Sequence, residues 1–107
     1  MASLSIQEIK RLRQIGHTLN PVVMIGGQGL TENVTEETLR ALNDHELIKV
    51  KVMGEDREVR GQTIDALAQQ TQSHVIQKIG KVVLLYKKAA QQNPKLSNLV
   101  RYAHLSN

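Results

Sequence analysis

The residues best placed to do chemistry in this 107-residue chain carry almost no side chain. Gly26-Gly27-Gln28-Gly29 follows an apolar run at 22–25 and precedes a helical pattern. Its backbone amides and the start of a helix therefore converge on one spot. Glycines let the backbone approach a phosphate with no side chain between, and free amides at a helix start favour anions. A tight strand-to-helix turn with positive φ at one or two positions accounts for the same residues. Glu32 lies close by, and Gln28 adds no charge. Lys49 and Lys51 alternate with Ile48, Val50 and Val52, so both lysines project from one side of a strand. They either meet a polyanion or protect a strand edge.

No comparable set points to catalysis. His17, His45, His74 and His104 are scattered and form no short-range ligand pair. There are no cysteines, which excludes disulfides, thiolate zinc sites and a thiol nucleophile. Glu36-Glu37 and Asp44 with Glu46 read as the surface charge of a solvent-facing helix rather than as an acid and base pair. A Gly-x-x-x-x-Gly-Lys loop is missing, and the glycine loop lacks the third glycine of a dinucleotide fingerprint. The expectation is a protein without catalysis, cofactor or metal.

The elements that must hold these residues follow from periodicity. Ser5 and Glu8 form a capping box, with Leu4 and Ile9 as a hydrophobic staple. Ile6, Ile9, Leu12, Ile15 and Leu19 recur at helical spacing, so 5–19 reads as an amphipathic helix with Lys10, Arg11 and Arg13 facing water. Asn20-Pro21 ends it. The apolar run at 22–25 predicts a strand buried on both faces, and 32–44 predicts a second helix. Residues 47–52 show the period of two of a strand with one buried side. A third helix over 56–70 would bury Val59, Thr63, Ala66 and Leu67, with Ile64 at its edge. Strands at 75–79 and 81–86 close on a Gly80-Lys81 hairpin. The order helix-strand-helix-strand-helix-strand-strand predicts a two-layer α/β domain on a four-stranded mixed sheet, with right-handed parallel crossovers. This domain spans 1–88. Beyond it, 89–107 reads as a basic, partly disordered tail in which Leu96, Leu99, Val100 and Tyr102 form at most a short helical turn.

Net charge is +4 and the pI is near 9.6. The excess is uneven: residues 75–107 hold Lys78, Lys81, Lys87, Lys88, Lys95 and Arg101 with no acid, while 31–48 are acidic. Such polarity suits a polyanion binder or, more plainly, a solvated lysine-rich face. Tyr86 and Tyr102 are the only aromatic residues, so a sheet that stacks several bases on rings is excluded. No segment is long and apolar enough for a signal peptide or a membrane span. The expectation is a soluble, cytoplasmic monomer with no membrane contact.

Four stretches together resemble a known family. Leu19-Asn20-Pro21-Val22-Val23, Ile25-Gly26 through Gly29-Leu30-Thr31, His45-Glu46-Leu47-Ile48-Lys49-Val50-Lys51, and Ile79-Gly80-Lys81 with Leu85-Tyr86 are similar to the bacterial YhbY family, a stand-alone CRM (chloroplast RNA splicing and ribosome maturation) domain. The resemblance covers residues 4–88. It implies a fold similar to the C-terminal domain of bacterial translation initiation factor three. It also implies RNA binding, with precursor large-subunit ribosomal RNA and the pre-large ribosomal subunit as partners during ribosome assembly. The family's presumed RNA contact carries over to Gly26, Gly27, Gln28 and Gly29. Lys49, Lys51 and Lys81 fall in matching stretches, whereas Lys10, Arg11 and Arg13 are added from charge placement alone. Family loops often carry a lysine between the glycines; here Gly27 and Gln28 stand there, which leaves backbone amides as the contact. The alternative is a protein–protein adaptor that docks a ribosomal protein or assembly factor through the acidic second helix or the tail.

Overall fold

A computed structural model describes residues 3–106. Met1, Ala2 and Asn107, at the outer ends of the expected domain and tail, lie outside the described residues. The first helix, α1 (Ile6–Gly16), starts where the capping box places it. Ser5 Oγ accepts from the Glu8 amide, and the Ser5 amide donates to Glu8 Oε1, each at 3.1 Å. The helix is shorter than expected, because the Thr18 and Leu19 amides turn back onto the Ile15 and Gly16 carbonyls. Ile6 is 74% exposed instead of inward-facing. At 3.6 residues per turn it points roughly 120° away from Leu12, outside the buried arc.

β1 (Pro21–Ile25), α2 (Glu32–His45), β2 (Leu47–Val52), α3 (Arg57–Thr71), β3 (His74–Ile79) and β4 (Val82–Tyr86) follow in the expected order. The mixed four-stranded sheet runs β1-β2-β4-β3, with β1 parallel to β2 and the other pairs antiparallel. Its layering differs from the expectation. Leu47 and Ile48 are adjacent and both buried, as are Leu84 and Leu85. Neighbouring strand residues point to opposite faces, so both faces must be covered. On one face Val23, Ile25, Ile48, Val50, Val52, Val83 and Leu85 pack under Leu42 of α2 and Ile64 and Leu67 of α3. On the other, Leu47, Ile76 and Leu84 pack under Leu12 and Ile15 of α1. There are three layers rather than two. α1 lies close on β4 because residue 16 is glycine: an added Cβ would sit 2.5 Å from the Leu84 side chain.

Three further expectations change. β1 is an edge strand, and Val22 and Met24 are exposed on the part of the α1-side face that α1 does not cover. The buried face of α3 is Ile64, Leu67, Ala68 and Thr71, rotated from the expected set, and Val59 is exposed. The segment after Lys88 is also packed, not loose. It forms α4 (Asn98–Arg101) and a 3-10 turn, Ala103–Ser106, and lays Leu99 and Tyr102 against the α1-side core. Its anchor is Glu46, a buried side chain that composition alone assigns to the surface. Glu46 Oε2 accepts from the Ala89 amide at 2.9 Å, and Oε1 accepts from Ser97 Oγ at 2.8 Å and from Gln92 Nε2. Asn98 Nδ2 adds a bond to the Leu47 carbonyl at 2.7 Å.

Candidate functional site

The carboxyl ends of β1 and β2 and the β3–β4 hairpin meet at one end of the sheet. Ile25 pairs with Val52, Met24 and Val82 both pair with Lys51, and Ile79 pairs with Val82. The Met53 amide donates to the Ile25 carbonyl, and the Val52 amide to the Lys81 carbonyl. The glycine loop leaves β1 at this end.

Within the loop the structure separates the residues by duty. The Gly29 amide donates to the Gly26 carbonyl at 3.0 Å, closing a turn with Gly27 and Gln28 at its tip. Gly29 has φ +73°, which favours glycine. Leu30 packs on the core, and Thr31 caps α2 by accepting from the Val34 amide at 3.2 Å. Gly26 and Gly27 have no such duty. Both lie outside the positive-φ set, and a Cβ added at either would meet nothing within 4 Å. Gln28 is exposed. The tip is thus free of any conformational or packing need for small residues.

Lys49 and Lys51 lie on β2, a central strand, so edge protection does not explain them. Both are half-buried on the α1 side of the sheet, beside exposed Val22 and Met24, and neither forms an ion pair among the described residues. Lys81 is at the same end, with Nζ 3.3 Å from Glu55 Oε1. Arg11 is placed elsewhere. α1 begins beside His74 and Tyr86, at the opposite end of the sheet, and the Arg11 charge is felt by Glu8 and Tyr86 there. Lys10 and Arg13 are exposed on the same helix. The structure therefore gathers Gly26, Gly27, Gln28, Gly29, Lys51 and Lys81, with Lys49 two residues back along β2. It does not bring Arg11 to them.

Neither tyrosine offers a free stacking platform. Tyr86 stacks on His74 with centroids 6.1 Å apart, and Tyr102 packs on the α1-side core. Among the described residues, no group of three or more His, Asp or Glu side chains is placed to hold a metal ion. Sequence reasoning missed Glu46 as an anchor and Thr31 as a cap. Thr31 was readable from its place ahead of α2. Glu46 was not, because its partners lie more than forty residues away.

Known proteins are similar to this chain in sequence and in fold. The family model described as the CRS1 / YhbY (CRM) domain matches residues 4–87. A protein of Pseudomonas aeruginosa named a probable RNA-binding protein is 45% identical over 101 residues, covering 94% of this chain and 97% of that one. An RNA-binding protein of Haemophilus influenzae is 45% identical over 96 residues, covering 90% of this chain and 97% of its own length. The solution structure of a hypothetical protein from Staphylococcus aureus has a TM-score of 0.73 at 27% identity, covering 83% of this chain and 93% of the other.

Proposed function

This chain belongs to the CRS1 / YhbY (CRM) domain family, and from that footing we propose that it is a non-catalytic RNA-binding protein acting, as a cytoplasmic monomer, on precursors of the large ribosomal subunit. The tip of the glycine loop would meet the sugar–phosphate backbone through its amides. Lys51, Lys49 and Lys81 would add attraction along the adjoining sheet end. One observation carries the reading. Gly26 and Gly27 stand open at the end of a strand with no folding role to explain their lack of a side chain, beside exposed Gln28. Two of the relatives compared above are named as RNA-binding proteins. The ribosomal precursor as partner draws its support from the motif likeness set out under the sequence.

For the adaptor alternative, Leu99 and Tyr102 of the tail are packed on the α1-side core, which leaves Leu96, Val100 and the acidic second helix as its exposed surfaces. The test is binding of precursor large-subunit ribosomal RNA fragments across a salt series. Affinity is expected to fall steeply, by about 0.7–0.9 in log–log slope per phosphate contacted. Replacing both Gly27→Asp and Gln28→Asp is expected to lower affinity more than tenfold with the melting temperature nearly unchanged. Salt-independent binding, or full affinity in the double variant, would overturn the proposal.

A further inference from the structure

A second feature lies at the same sheet end, on the opposite face from Lys49 and Lys51. A groove of about 830 Å³ runs between α3 and the β3–β4 hairpin, with Arg57, Glu58, Arg60, Gly61, Lys78 and Gly80 around it and Ile64 as its apolar lining. Three of these seven are cations. Lys78 meets Asp65 at 3.3 Å with side chains 45% and 70% exposed, a weak solvated pair whose carboxylate a phosphate can replace.

Two details of the groove are not explained by folding. Arg60 donates through Nη1 to the Gly54 carbonyl at 2.7 Å, while its Nε is buried with no hydrogen-bond partner. An unmet buried donor costs about 1–3 kcal/mol. Gly61 sits in the second turn of α3, where glycine costs about 1 kcal/mol relative to alanine. A Cβ at 61 would meet nothing within 4 Å, so no neighbour demands the glycine. An anionic chain lying along the groove would come close to the helix where the side chain is missing, and a turn of the Arg60 side chain would bring its unmet Nε to a phosphate.

We propose that this groove is a second phosphate-binding subsite for the RNA backbone, with Arg57, Arg60 and Lys78 supplying charge and Gly61 admitting the chain. The proposal rests on the RNA-binding reading above. β1 and β3 are three strand spacings apart, roughly 14 Å. One RNA strand therefore reaches from the glycine loop, around the end of the sheet, to the groove.

The test uses the full chain, a uridine 20-mer and, separately, inorganic phosphate. Gly61→Glu is expected to weaken oligonucleotide binding at least fivefold and to lower the salt slope by about 0.7. Arg57→Gln, at an exposed position, is expected to act in the same direction and keeps the test open should Gly61→Glu fail to fold. Glu58→Gln, which removes the groove's acid, is expected to tighten binding. Gly61→Ala is expected to raise the melting temperature. The Gly61 amide resonance should move with the oligonucleotide and not with an equal concentration of phosphate; equal movement with both would mark a small-anion site and overturn the proposal. Wild-type affinity and slope in Gly61→Glu and Arg57→Gln, with binding lost in the Gly27→Asp/Gln28→Asp variant, would overturn the groove and leave the loop standing. No oligonucleotide or ribosomal RNA binding by the wild-type chain would overturn both.

Discussion

Gly27 and Gly29 are two positions apart and have different duties. Gly29 sits at φ +73°, so a side chain there is strained, whereas Gly27 is open and lies outside the positive-φ set. Gly29→Ala is expected to cost about 1–2 kcal/mol of stability. Gly27→Ala is expected to leave stability equal or slightly raised, because it only narrows the unfolded ensemble. Thermal denaturation of the two variants side by side checks this. Equal losses would mean that the whole loop is a folding device, and the case for a ligand at its tip would fall. Glu46 shows a different residue-scale effect. It adopts φ +62°, which a residue with a side chain adopts at a cost. The three donors that its carboxylate gathers offset that cost.

At the scale of elements, the stretch from Lys87 to Ser106 behaves as a strap over the α1 face, tied through the Glu46 carboxylate and by the Asn98 bond to the Leu47 carbonyl. Burial pushes the Glu46 carboxyl up, but the donors from Gln92, Ala89 and Ser97 outweigh it and hold the group below its ordinary value of 4.5. In acid the unfolded chain therefore takes up this proton before the folded one does. The strap's contribution is complete above pH 4.5 and is lost as pH falls from there through the depressed value. Glu46→Gln replaces an acceptor oxygen by a donor facing other donors, at an expected cost of about 1–3 kcal/mol. Amide hydrogen exchange at Ala89 and Arg101 should speed up in this variant, and part of the acid sensitivity of the wild type should vanish. Unchanged exchange would show that Leu99 and Tyr102 hold the strap without the carboxylate. The same element explains why a polar, proline-containing segment reads as loose: its anchor is on a different element, beyond the reach of any local pattern.

Across the whole molecule, Lys49 and Lys51 are on a central strand beside an uncovered part of the sheet, and both tyrosines are engaged elsewhere. Contacts of this kind position a backbone without reading bases. Lys49→Gln with Lys51→Gln is expected to weaken binding to unrelated RNA sequences by a similar factor. Competition among several oligonucleotides measures this, and a loss confined to one sequence would contradict backbone contact. Element order, strand pairing around the Gly80-Lys81 hairpin and the cap of α1 were legible in the residues, because turns, caps and periodicity act within a few positions of the chain. The glycine loop was legible as a candidate for the same reason. Whether its residues serve the fold or stand free was not, since that depends on what surrounds a missing Cβ. The edge position of β1, the helices on both sheet faces, the rotation of α3 and the burial of Glu46 came only from the tertiary structure. Each depends on which distant segments share a layer, and burial is a property of that shared layer rather than of any one stretch of chain.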